Sequence, residues 1–227
     1  MTVSAREEIL RSIRTQLAVS ARDHLEENHH VQPLQPEVET AAEKPDRETL
    51  IRLFAENLQA VDGQVVVVDR ETETFEAIRA ILSKLKSTRL KPRRVAISDS
   101  KEVAEIEQFI AGEVEEVATT PCASELFGFD VGISTVQAGI AETGTLVLEA
   151  NREKNRLVSL VPPVHIAILD ATRIFCTLGE TLAALYRGGN LSQAITFITG
   201  PSRTADIELT LAIGVHGPQE LYVIIRR

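Results

Sequence analysis

Two kinds of hydrophobic pattern alternate along this chain. Near the N-terminus Ile9, Leu10, Ile13 and Leu17 recur at helical spacing. Ser4-x-x-Glu7 ahead of them reads as a capping box, the hydroxyl taking a free N–H and the carboxylate reaching back. That helix has one face to bury. Behind it, "HVQPLQPEVETAAEKPDRE" is rich in Pro and Glu and has no period, so His30 to Pro45 reads as a linker or arm lying over the surface. From Asp46 the texture changes. Leu50, Phe54, Leu58 and Val61 mark a helix closed by Asp62-Gly63, and "QVVVV" after it is short, β-branched and apolar, as a strand covered on both faces would be. Phe75, Ile78, Ile81, Leu82 and Leu85 give the next helix, "RVAIS" another buried strand, and Val103, Ile106 and Ile110 a further helix. Buried strands alternating with amphipathic helices argue for a mostly parallel sheet in an α/β layer structure.

The second half is richer in strands. "DVGISTVQAGIAETGTLVLEA" holds strand-like runs on either side of Glu142-Thr143-Gly144-Thr145, and "VHIAIL" follows the Pro162-Pro163 break. Thr177-x-x-Glu180 opens a helix carrying Leu182, Leu185 and Tyr186, which Gly188-Gly189 ends. "ITFIT" and "LYVII" complete the strands. The predicted organisation is an N-terminal helical arm over residues 1–45 and one α/β domain over 46–227.

Composition sets limits on this picture. The 227 residues, 44% hydrophobic and 25% charged, suit one domain plus an extension. No apolar run approaches the roughly 20 residues that span a bilayer, and the first residues lack the apolar core of a signal peptide. The expected compartment is the cytoplasm. Net charge is −9, and the single basic cluster, Lys84 to Arg94, reads as a helix end and loop, so nucleic acid is not an expected partner. Cys122 and Cys176 stand far apart with no C-x-x-C, and His29-His30 has no cysteine near it. The chain is therefore expected to hold no metal or iron–sulfur centre of its own.

Four polar islands interrupt the apolar second half. Around "ETGT", either a hairpin turns at Gly144 with Glu142 facing water, or a strand end offers one carboxylate, the hydroxyls of Thr143 and Thr145, and close backbone. "NREKNR" is a charged turn from which Arg156 could be recruited. His165 enters an apolar strand after the two prolines, as a structural residue or as a ligand. The fourth island joins "TGPSRTADIE" to "GVHGP". Gly200-Pro201 lets a strand turn and releases Ser202, Arg203, Thr204 and Asp206, with His216 following. Arg203 either takes a carboxylate or phosphate bidentately or neutralises Asp206 or Glu208. Ile207, Leu209, Leu211 and Ile213 alternate, which favours a strand over a phosphate-binding helix, and neither G-x-x-x-x-G-K-[ST] nor G-x-G-x-x-G occurs. In an open α/β sheet ligands gather beyond the carboxyl ends of the strands, and the islands are expected to converge there.

"AGIAETGTLVL", "NRLVSLVPPVHIAIL", "TGPSRTADIEL" and "GVHGP", in this order, resemble the LUD-domain family, in its lactate-utilization protein C (LutC, YkgG-like) branch. The resemblance runs from about Arg47 onward and is strongest after Gly139. It implies a three-layer α/β/α sandwich similar to the ribose-5-phosphate isomerase and CoA-transferase fold. It also implies a part in oxidising L-lactate to pyruvate beside iron–sulfur partner proteins, which would carry the clusters this chain lacks. The first expectation is a non-redox subunit that binds a small anion or organises its partners. Its ligand set would be Thr143, Gly144, Thr145, Arg156, His165, Gly200, Ser202, Arg203, Thr204, Asp206 and His216. The alternatives are a stand-alone CoA transferase or sugar-phosphate isomerase using Glu142 as nucleophile or base, and a regulatory sensor of lactate. The arm is a candidate for contacts that form a homo-oligomer.

Overall fold

The computed structural model describes residues 5–26, 45–100, 103, 105–119, 121–151, 156–187, 192–204, 212–213 and 217–227. The chain divides into two compact units, Met1–Thr40 and Ala41–Arg227. In the first, α1 (Ala5–Glu26) carries Glu7 and Glu8 in its opening turn, where they complement the helix dipole. Its Ile9, Leu10 and Ile13 are exposed. Ser4, the expected cap, and the Pro- and Glu-rich stretch from His30 to Lys44 lie outside the described residues, as do Gly188-Gly189.

The second unit begins with α2 (Arg47–Ala60), where the Asp46 carboxylate accepts from Thr49 N–H at 2.8 Å and so caps a free donor. Ile51, Phe54 and Leu58 fall on one face at helical spacing and are buried. The chain continues through β1 (Gln64–Val68), α3 (Glu71–Lys86), β2 (Arg94–Ile97), α4 (Ile106–Ile110), β3 (Glu116–Thr119), β4 (Val131–Val136), β5 (Ala138–Ile140) and β6 (Thr145–Glu149). It ends through β7 (Val164–Asp170), β8 (Ile174–Phe175), α5 (Leu178–Tyr186), β9 (Ile195–Ile198), β10 (Arg203–Thr204), β11 (Ala212–Ile213) and β12 (Glu220–Arg226).

The main sheet has six strands in the order β1-β12-β7-β4-β2-β3, every neighbouring pair parallel. Its central strands are apolar on both faces because both faces are covered. One face packs Val131, Ile133, Ile166, Ile168 and Ile224 against Phe75, Ile78 and Leu82 of α3 and Ile106 and Ile110 of α4. The other packs Leu169, Val223 and Ile225 against Phe54 and Leu58 of α2 and Leu146 and Leu148 of β6. The third layer is thus α2 together with a four-stranded sheet, β8-β5-β6-β9, in which β5 and β8 are parallel and the other pairs antiparallel. Gln137 alone separates β4 from β5, so the chain passes from one sheet to the other in a single residue. Its carbonyl accepts from Arg173 Nε at 2.9 Å and its side-chain oxygen from Glu149 N–H at 2.7 Å. No helix among the described residues is long and apolar enough to cross a membrane.

Candidate functional site

The last turn of α2 gathers two of the four islands. Gly144 has φ 63° and lies against the α2 backbone, so that a Cβ there would come within 2.3 Å of Leu58 N. Gly200 has φ 80°, and a Cβ on it would sit 2.7 Å from the Val61 carbonyl oxygen. Only glycine meets both demands, left-handed backbone and contact at that range. Asn57 Nδ2 donates to the Ala141 carbonyl at 2.8 Å and fixes the same junction from the helix side.

Pairing of β6 with β9 then sets Thr145 beside Thr199. Their hydroxyls lie 2.7 Å apart, and Thr145 Oγ1 is 2.6 Å from Thr143 Oγ1. Thr145 is buried, whereas Thr143 and Thr199 reach the surface. Each hydroxyl brings one proton and two lone pairs, so the three form a chain with unused capacity at its exposed ends. Beyond Gly200, Ser202 N–H donates to the Pro218 carbonyl at 2.8 Å, which joins the "GPSRT" island to the segment after His216. The guanidinium of Arg203 pairs with the Asp62 carboxylate in the turn that closes α2. Arg203 and Thr204 form β10 and pair with β11. Asp206 and His216 lie outside the described residues.

This junction is at the amino edge of the main sheet, since Asp62 precedes β1 and Pro218 precedes β12. The expectation placed it at the carboxyl edge. That rule holds for strands of an open parallel sheet, whereas the "ETGT" turn and the end of β9 belong to the second sheet, where β6 runs antiparallel to both neighbours.

Glu142 has its own partner. Its Oε1 accepts from Leu178 N–H at 2.8 Å, and its backbone N–H donates to the Cys176 carbonyl at 3.0 Å. A carboxylate at the first N–H of α5 complements the positive end of the helix. The Thr177-x-x-Glu180 pair read from the sequence closes the same terminus, Thr177 Oγ1 accepting from Glu180 N–H at 3.2 Å, while Glu180 Oε2 reaches one residue past the box, to Cys176 N–H at 3.1 Å. Burial, then the carboxylates of Glu180 and Glu142, push the Cys176 thiol up from its ordinary range.

Arg156 and His165 sit elsewhere. Arg156 opens a 3-10 turn (Arg156–Ser159) lying over β4 and β7, is exposed, and lends its carbonyl to Ser159 Oγ at 2.7 Å. His165 is on β7 with no exposed surface. Its Nε2 is 2.9 Å from Ser134 Oγ, and its Nδ1 is buried without a partner. Desolvation by burial holds its pKa at about 3, far below the ordinary 6.5, so the ring is neutral at physiological pH. No hydrogen bond or ion pair among the described residues joins Arg156 or His165 to Arg203. Sequence reasoning missed Asp62, Thr199, Asn57 and Ser134. Asp62 was visible only as a helix stop, and the Thr199 hydroxyl matters only once β6 and β9 are paired.

Residues 51–225 match the family model described as the LUD domain. An uncharacterised protein of Neisseria meningitidis serogroup B is 37% identical over 163 residues, covering 69% of this chain and 65% of that protein. Lactate utilization protein C of Geobacillus kaustophilus is 36% identical over 100 residues, 42% of each chain. The protein of that name from Halalkalibacterium halodurans is 38% identical over 101 residues, 42% of this chain and 44% of that one. The matches therefore span from about two-fifths to just under two-thirds of these relatives' lengths. A DUF162 family protein from Deinococcus radiodurans, known from its crystal structure, shares the fold. Its TM-score is 0.56 at 20% identity, covering 81% of this chain and 99% of the other.

Proposed function

The chain belongs to the LUD-domain family, and from that premise we propose that it takes part in lactate utilization. Its role would be that of a subunit without a redox centre, binding a small carboxylate beside iron–sulfur partners that oxidise L-lactate to pyruvate. The names of the two relatives called lactate utilization protein C support the process. The chain's two cysteines are too few for a four-cysteine cluster, which supports leaving electron transfer to partners.

One observation carries the ligand reading: the threonine chain of Thr143, Thr145 and Thr199 meets the strand end that releases Ser202 and Arg203. Arg203 is paired with Asp62, and the exposed Asp62 carboxylate is the kind of group that a ligand carboxylate could replace on the guanidinium. Hydroxyls at the threonine end would take the remaining ligand oxygens. Glu142 holds α5 in place in this reading.

Calorimetric titration with L-lactate and pyruvate tests it. Arg203→Ala should weaken binding by roughly ten- to a hundredfold, the worth of one charge-assisted contact. Asp62→Asn should tighten it by removing the competitor. Equal affinities for both variants and the parent, or no binding by the parent, would reject the site. Co-purification with iron–sulfur proteins from a lactate-grown cell tests the partner half separately.

A further inference from the structure

We propose that β1 is a dimerisation edge, at which two copies of this chain join their main sheets by antiparallel pairing of Gln64–Val68 with itself. The six-stranded sheet has two edges, β1 and β3, and they are guarded differently. An edge strand exposes unpaired N–H and C=O groups, which natural sequences shield with charge or proline. β3 is shielded. Its Glu116 pairs with Arg94 at 2.7 Å, next to an Arg93–Glu115 pair at 2.7 Å. β1 offers four valines and a glutamine, with Val65 and Val66 only partly buried and Val67 38% exposed. Among the described residues no strand pairs with its outer side.

Charge at the strand ends points to a second copy as the occupant. A two-fold axis at Val66 sets Val65 opposite Val67 of the other copy and Gln64 opposite Val68. The same register brings Asp62 toward Arg70 of the other copy, twice. Both side chains have room for it, at 73% and 79% exposed, although each also has a partner within its own chain, Arg203 and Glu73.

Helix α3 repeats the complementarity. One flank is committed to α4 and the turn after it, through Phe75 stacked on Phe109 at 3.9 Å and through Arg79 and Lys86 on Glu113. The opposite flank leans over β1, where Lys84 Nζ donates to Gln64 Oε1 at 2.6 Å. It carries Glu73, Ala77, Ala80 and Lys84 in succession. An antiparallel second α3 sets Ala77 beside Ala80 and Glu73 beside Lys84. Since α3 lies over β1 and β12, strands about 4.8 Å apart would place the two helix axes roughly 10 Å apart, within packing range. Alanines stand where the approach is closest, and opposite charges flank them.

Sedimentation equilibrium of the full chain tests this with variants on two elements. Val67→Lys sets a lysine opposite Val65 at both ends of the strand contact, and Ala80→Arg, at an exposed position, fills the helix contact. Each should weaken self-association by roughly a hundredfold or more while circular dichroism and the melting curve at low concentration stay as in the parent. Thr119→Lys on the β3 edge should leave the dimer intact. A parent chain that stays monomeric at high concentration overturns the proposal. So does a dimer indifferent to both Val67→Lys and Ala80→Arg, which would transfer self-association to the N-terminal arm.

Discussion

Neutral His165 should make stability depend on pH in a window where few other groups titrate. Its folded pKa is depressed to about 3 from the ordinary 6.5. A base held neutral by folding gives its full contribution above the unfolded-state pKa and loses it as pH falls toward the folded value. Between about pH 7 and pH 5.5 the unfolded imidazole takes up most of a proton and the folded one almost none, a loss on the order of 1 kcal/mol. For a unit of this size that is a fall in the melting midpoint of roughly 2–4 °C. The depressed carboxylates, Asp46, Glu113, Glu115, Glu116 and Glu125, have ordinary values of 3.8 to 4.5, so they act mainly below this window. Denaturant titrations at the two pH values, on the parent and on His165→Gln, measure the effect. Gln can keep a bond to Ser134 without titrating, so its slope should be flatter by the amount above. Other histidines contribute equally to both proteins and cancel. Equal slopes in the two proteins would refute the assignment of a buried, neutral imidazole.

Two further outcomes follow from the junction and the arm. Gly144→Ala forces a side chain onto a left-handed backbone and into Leu58 N, so it should cost at least about 2 kcal/mol in a denaturant titration; a loss below half of that would mean the α2 contact gives way easily. Residues 46–227 expressed alone should stay in solution and unfold in one cooperative transition, because every main-sheet strand and its covering helices lie in that span; insoluble or non-cooperative material would place part of the core before residue 46.

Legibility in the sequence tracked how local each determinant was. The parallel sheet was readable because "RVAI" and "VHIAIL" are apolar without alternation, as double coverage requires; "QVVVV" has the same texture, yet at the sheet edge it leaves Val67 38% exposed. β3 escaped notice because Glu-Val-Ala-Thr is short and begins with a charge, its strand character coming from pairing with β2. The cap at Thr177 was readable because its partners lie three residues apart. The Arg203–Asp62 pair was not, since 141 residues separate its members. The glycines of "ETGT" and "TGPS" announced turns, yet that both turns rest on one helix end is a fact of packing. Polarity alone could not distinguish the buried His165 from an accessible ligand, because the cover over a strand comes from elsewhere in the chain.

The strand order has a consequence for synthesis. β12, the last strand of the domain in sequence order, lies between β1 and β7, and the N–H of Arg227 just after it donates to the Val68 carbonyl. Until Glu220–Arg226 has cleared the ribosome, β1 has no neighbour and β7 has a bare flank with its valine- and isoleucine-rich surface uncovered. The nascent chain must therefore hold an unclosed sheet until every other strand of the domain has been made, in the state most exposed to wrong pairing. Chains that stop before β12 would keep β7-β4-β2-β3 together and leave β1 without a neighbour, and such chains are natural clients for chaperones and proteases.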